Sequence, residues 1–153
     1  MTLDLHNIEY IKQLKARYFR ALDTKDWPLM RSCLHSDCIA AYDGGKYTFE
    51  GADNIVNFFQ QYMSASHLIF MHHGHLPEIE IINASSAKGI WYLHDKVINT
   101  EANTTLEGAG FYHDEYACID GEWLISRTGY DRTFEELHPR ENVQLNFSRF
   151  SQT

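Results

Sequence analysis

The feature that most limits what this chain can fold into is a change of hydrophobic period after Ser66. Before it, Ile8, Ile11, Leu14, Tyr18 and Leu22 form a helical stripe over His6 to Leu22, with Lys12, Lys15 and Arg20 between them. Ile55, Phe58, Phe59 and Tyr62 form a second stripe over Gly51 to Tyr62. After Ser66, segments near 67–73, 76–82, 87–98, 107–119 and 122–133 are rich in β-branched and aromatic residues. Asp120-Gly121, between Cys118-Ile119 and Trp123-Leu124, is the clearest hairpin signal. Helices first and strands afterwards imply an α+β domain in which a curved antiparallel sheet packs against N-terminal helices.

Smaller signals fill in the first half. The first helix is expected to end near Asp23, and Asp26 before Trp27-Pro28 reads as the N-cap of a short second helix running toward Cys33. Cys38 to Tyr42 reads as a strand, turned by Asp43-Gly44-Gly45 and returning over Lys46 to Phe49. At 153 residues, with no repeat, low-complexity tract or linker, the chain is expected to form a single domain over 1–153. Its tail carries Pro139 and the spaced set Val143, Leu145, Phe147 and Phe150, and is expected to cover a pocket mouth or a neighbouring subunit.

Nine Phe, nine Tyr, three Trp and nine His supply an apolar interior with groups that titrate near neutrality. Thirteen Lys plus Arg against 21 Asp plus Glu give a net charge of −8, which argues against a phosphate-neutralising nucleic-acid surface. Cys33, Cys38 and Cys118 form an odd set without metal-type spacing, as expected of reduced thiols. No basic region precedes an apolar run at the N-terminus and no membrane span is visible, so a cytoplasmic location without membrane contact is expected.

Strand alternation puts Trp91, Leu93, Asp95 and Val97 on one face and Tyr92, His94 and Lys96 on the other. A carboxylate on the apolar face is costly unless paired, so Asp95 is either a site residue or half of a structural ion pair. His67, His72, His73 and His75 invite a metal reading, but Gly74 suggests a break, and no acidic or Cys ligand stands at site spacing. Neighbouring His72 and His73 point to opposite faces, so one at most faces a pocket. Taken singly, Tyr18 reads as a core tyrosine, Asp23 as a cap and Arg132 as a cation at a strand end. No Walker, dinucleotide or nucleophile-elbow motif occurs.

Four stretches read together are more specific: Ile11-Lys-Gln-Leu-Lys-Ala-Arg-Tyr-Phe-Arg-Ala-Leu-Asp, Met71-His-His-Gly-His-Leu-Pro-Glu-Ile-Glu-Ile, Gly89-Ile-Trp-Tyr-Leu-His-Asp and Gly121-Glu-Trp-Leu-Ile-Ser-Arg-Thr-Gly-Tyr-Asp-Arg. In order and spacing, over about residues 8–135, the chain resembles the SnoaL-like branch of the nuclear-transport-factor-2-like (cystatin-like) cone fold. Within that branch it is most similar to the bacterial bile-acid 7α-dehydratases. The resemblance implies catalytic roles for Tyr18, Asp23, His72, Asp95 and Arg132, a substrate-binding role for Tyr42, and no metal or other cofactor. It differs at His73, His94, the loop 99–106 and the tail, regions that include pocket-shaping loops.

The implied activity is a dehydratase that removes water from a hydroxylated keto-ring substrate, steroid-like and largely apolar, in a homo-oligomer (dimer or trimer). An Asp23–His72 pair would act as general base, with Tyr and Arg stabilisation. A ketosteroid-isomerase-like or polyketide-cyclase reaction would use the same groups, and a non-catalytic binding module is the third reading.

Overall fold

A computed structural model describes residues 4–151. Helix α1 (Leu5–Thr24) starts where the Asp4 side chain accepts the Asn7 N–H, and stops where Lys25 adopts a left-handed conformation and donates its N–H to the Ala21 and Leu22 carbonyls. The Asp26 side chain accepts the Leu29 N–H and opens α2 (Trp27–Cys33), with Pro28 in the first turn where its missing donor costs nothing. Next come β1 (Leu34–Tyr42), β2 (Tyr47–Glu50) and α3 (Ala52–Met63), then β3 (Leu68–Asn83), β4 (Ser86–Asn99), β5 (Thr104–Ile119) and β6 (Glu122–Pro139).

The strands form one curved, unclosed six-stranded sheet in the order β2-β1-β6-β5-β4-β3. Every neighbouring pair is antiparallel except β1 beside β6, because the helix-bearing first half must return to the sheet by a crossover. The expected α+β architecture is therefore present. Asp120 (φ 51°) and Gly121 (φ 84°) make the two-residue β5–β6 turn, both residues in the positive-φ region that a tight hairpin demands.

Two sequence expectations change in the sheet. Segments 67–73 and 76–82 belong to a single strand, β3, with Gly74 paired to Leu93. The irregularity lies further on: His75 pairs with Tyr92 and Glu78 with Ile90, so β3 carries one extra residue, with Leu76 at φ 49°. Pro77 cannot donate to a ladder, and β3 tolerates it because it is an edge strand. In the other change, β6 continues to Pro139, beyond the expected end near 133.

Helix α1 lies on the sheet face that carries Trp91, Leu93, Tyr112, Tyr116 and Ile125, and buries Ile11, Leu14, Tyr18 and Leu22. Alternation along β4 follows the expected faces, with Trp91, Leu93 and Asp95 buried and Tyr92 exposed. Lys15 departs from the pattern. Read as a polar residue between apolar ones, it lies four residues after Ile11 on the same helix face and is completely buried, its Nζ 2.7 Å from Asp114 Oδ2. Asp114 also accepts from Tyr116 Oη at 2.8 Å and Thr128 Oγ1 at 2.7 Å, so the buried charge is fully engaged. After β6 the tail brings Phe150 under the Lys25 ammonium, 4.1 Å from the ring centroid.

Gly74 sets how closely α1 approaches the sheet. A Cβ there would fall 2.2 Å from Phe19 Cε2, so the helix's aromatic occupies the space a side chain would need. Gly74→Ala is expected to destabilise the chain by about 1–3 kcal/mol, read as a lower thermal midpoint. Adding Phe19→Leu should recover part of the loss, and no recovery would show that the contact is not the cause.

Candidate active site

Asp23 sits in the last turn of α1, and the close approach at Gly74 brings that turn against β3. There its carboxylate engages a single residue twice. Oδ2 accepts the backbone N–H of His72 at 2.9 Å, and Oδ1 lies 2.6 Å from His72 Nδ1. The backbone bond fixes the carboxylate independently of the imidazole, so the ring is held by an acceptor that is itself held. An ionised carboxylate can only accept, which places the neutral ring's proton on Nδ1 and leaves Nε2 as a lone-pair nitrogen. Nε2 has no hydrogen-bond partner among the described residues. Phe19 and Phe70 lie nearly parallel to the ring on centroid distances of 6.1 Å and 6.3 Å, limiting its tilt.

His72 lines a cavity of about 380 Å³ between the sheet and the helices, within the size range of small-molecule sites. Leu22, Phe58, Phe59, Met63, Phe70, Val97 and Leu106 make the apolar part of its wall, and Asp43, Lys46, Asp95, Arg132 and Glu135 bring charge to the rest. Polar groups converge from three strands: Tyr42 from β1, Asp95 from β4 and Arg132 from β6. Asp95 and Arg132 form a bidentate pair at 2.7 and 2.8 Å, which resolves the carboxylate on the apolar face as half of an ion pair at the cavity wall. The bond and charge of Asp95 raise the Arg132 guanidinium pKa above its ordinary value. Arg132 Nε lies 2.8 Å from Glu135 Oε2, so the cation bridges a buried and a half-exposed carboxylate.

Tyr18 is placed one layer further back. It is fully buried and does not line the cavity; its hydroxyl lies 2.8 Å from that of Tyr42, which does. Its readings as core tyrosine and as site residue therefore meet in one position. Burial pushes the pKa of both phenols well above their ordinary value, so both keep their protons.

The structure thus gathers Tyr42, His72, Asp95 and Arg132 around one cavity, with Asp23 behind His72 and Tyr18 behind Tyr42. The other clustered histidines lie elsewhere: His73 and His75 are exposed, and His94 Nε2 pairs with Glu107 at 2.8 Å. Among the described residues no group of three His, Cys, Asp or Glu is placed to hold a metal ion. Among the described residues none beyond Glu135 lines the cavity. Tyr112 and Tyr130 also line it, facing each other across β5 and β6, and escaped the sequence reading. Tyr130 was legible as the residue two before Arg132, on the same strand face; Tyr112 required the register.

Comparison with known proteins bears on the family and the fold. The family model described as a SnoaL-like domain matches residues 4–129. Among solved structures, a type 2 hexachlorocyclohexane dehydrochlorinase (LinA) superposes with a TM-score of 0.82 at 17% identity, covering 93% of this chain and 95% of its own. A candidate scytalone dehydratase from Novosphingobium aromaticivorans DSM 12444 gives 0.80 at 16% identity, covering 92% and 97%. A type 3 LinA from Novosphingobium barchaimii LL02 gives 0.79 at 19% identity, covering 92% and 94%. At such identities the likeness is one of fold.

The buried phenols make stability fall at high pH. Tyr18, Tyr42, Tyr112 and Tyr116 all have pKa values raised by burial, so between the unfolded value near 10 and the folded value the native chain binds more protons. Stability therefore declines as pH rises through that window. Lys15 and Lys25, whose pKa values are lowered by burial, act in the opposite direction, two ammoniums against four hydroxyls. Urea midpoints are expected to drop between about pH 9 and pH 11; an unchanged midpoint would contradict the burial of these hydroxyls.

Proposed function

The chain belongs to the SnoaL-like domain family, and from that premise we propose that it is a cofactor-independent dehydratase. Its substrate is a hydroxylated keto-ring compound, steroid or bile-acid-like. The observation that carries this reading is the Asp23–His72 contact at 2.6 Å, which leaves Nε2 as the unpartnered basic nitrogen of a residue lining the cavity.

The reaction follows from the positions of the groups. His72 Nε2 takes a proton from a carbon acidified by the substrate carbonyl, directly or through a conjugated double bond. The electron pair of the broken C–H bond moves to the carbonyl oxygen, and the Tyr42 hydroxyl donates a hydrogen bond to that enolate or dienolate. When the pair returns, the C–O bond to the leaving hydroxyl breaks, and the imidazolium gives its proton to the departing oxygen. One water leaves, a new double bond remains, and His72 is again neutral. Asp23 keeps the ring in one tautomer and stabilises the imidazolium throughout. Arg132, with its charge anchored by Asp95, orients the leaving hydroxyl or a second polar group of the substrate.

Several observations support the remaining parts of the reading. The apolar part of the wall, formed by Leu22, Phe58, Phe59, Met63, Phe70, Val97 and Leu106, suits a ring body. The named neighbours include a dehydrochlorinase and a candidate dehydratase, both elimination enzymes by name. A module that only binds has no need of a carboxylate–imidazole pair with a free nitrogen. Ile90, Tyr92 and Phe134 are exposed on strands β4 and β6, and we assign the outer sheet face to contact between copies in a homo-oligomer.

A 7α-hydroxy-3-oxo-Δ4 steroid is the assay substrate that follows from this reading, because loss of water gives a dienone with long-wavelength absorbance. Wild type is expected to produce that absorbance and a product lighter by one water. His72→Ala should abolish turnover, and Asp23→Asn should reduce kcat by about 100-fold or more. Equal turnover by His72→Ala would remove the proposed base, and a product of unchanged mass would assign the cavity to isomerisation.

A further inference from the structure

The buried Lys15–Asp114 pair has no part in the mechanism above, yet it stands directly behind a cavity wall. Both side chains are fully inaccessible. Taking two charges out of water is expensive, and an apolar pair of similar volume is often at least as stable. Stability alone therefore does not explain why the sequence places a lysine in the apolar stripe of α1.

What Lys15 touches gives the reason. Its Nζ lies 3.6 Å from the ring centroid of Tyr112, nearer than to Tyr18 (4.7 Å) or Phe19 (4.9 Å). Asp114, fixed by Tyr116 and Thr128, anchors the ammonium. Edge contacts from Tyr18, Phe19 and Tyr130 at 6.3, 5.5 and 5.3 Å hold the Tyr112 ring on other sides. The ring is thus immobilised by a cation and three aromatics.

The Tyr112 hydroxyl differs from those of the other deeply buried tyrosines. Those of Tyr18 and Tyr42 bond to each other, and that of Tyr116 donates to Asp114. Tyr112 is 2% exposed and lines the cavity, and its hydroxyl has no hydrogen-bond partner among the described residues. Its oxygen is not shut off from the cavity, so the hydroxyl is free to donate to a ligand there. Burial, then the neighbouring Tyr18 and Tyr130 phenols, raise the Tyr112 pKa, so the group is a donor at any working pH.

We propose that Tyr112 is a catalytic hydrogen-bond donor that completes a two-hydroxyl oxyanion site with Tyr42, and that Lys15 is the positioning residue holding it there. The inference rests on reading this cavity as an active site. Tyr112 donates to the oxygen that gains negative charge and transfers no proton; Lys15 touches no substrate and acts through the ring it lies against.

Tyr112→Phe retains the ring and its contact with Lys15, so the fold is preserved and only the hydroxyl is lost. Two readouts are needed: turnover of the 7α-hydroxy-3-oxo-Δ4 steroid, and binding of equilenin, a fluorescent steroid naphthol whose ionised form mimics an enolate. Tyr112→Phe is expected to lower kcat about 10- to 100-fold with KM within about threefold, and to weaken binding of the ionised probe by a similar factor. Lys15→Met with Asp114→Asn removes the clamp without leaving an unpaired charge. It should lower kcat in the same way, and combining it with Tyr112→Phe should produce no further loss; a merely structural role would give additive losses. If wild type turns over the steroid or binds the ionised probe and Tyr112→Phe matches it, the donor role is overturned while the cavity reading stands. If wild type does neither, the cavity reading falls and this inference with it.

Discussion

Asp23 accepts both the backbone N–H and the ring Nδ1 of His72, and by doing so ties the C-terminal turn of α1 to an edge strand of the sheet. Much else at the site is arranged around that double contact. The left-handed Lys25 ends α1 immediately after it, and Gly74 gives the Phe19 ring the space that lets the helix come close enough. The same two bonds that join helix to sheet fix the imidazole's tautomer, so packing and chemistry are served by one carboxylate.

Behind the cavity the polar groups form graded layers. Tyr42, His72, Asp95, Arg132, Tyr112 and Tyr130 line it. Asp23 and Tyr18 hold two of these from the side or from behind, Glu135 reaches Arg132 from the cavity wall itself, and Lys15 with Asp114 lies beneath Tyr112. Buried polar groups of this kind are costly when unpaired and rigid when paired. That rigidity suits a site whose reaction depends on aiming donors at a charge that exists only in the transition state.

The sequence disclosed the period change, the caps at Asp26 and the turn at Asp120-Gly121, because each is a local rule with local residues. The face of Asp95 was also legible, since alternation needs only one strand. The partner of Asp95 was not, because its pairing with Arg132 crosses β5 at Gly108, where the missing side chain leaves the space that the guanidinium occupies. The catalytic grouping came from resemblance and not from spacing: Asp23 and His72 are 49 residues apart. Lys15 was misread because a charged residue within an apolar stripe is ordinarily turned to solvent, and its counter-ion on β5 is invisible from α1. Gly74 looked like a break because a glycine in a strand usually weakens it; the reason for it lies on another element, at Phe19.

The central claim is that Asp23 holds His72 with its proton on Nδ1 and a basic lone pair on Nε2. Nitrogen-15 NMR of the histidine rings, with His72 assigned by comparison with a His72→Gln variant, reports the tautomer of the neutral imidazole directly. A protonated Nδ1 and an unprotonated Nε2 are expected, with that preference lost in Asp23→Ala. A neutral ring carrying its proton on Nε2 would contradict it.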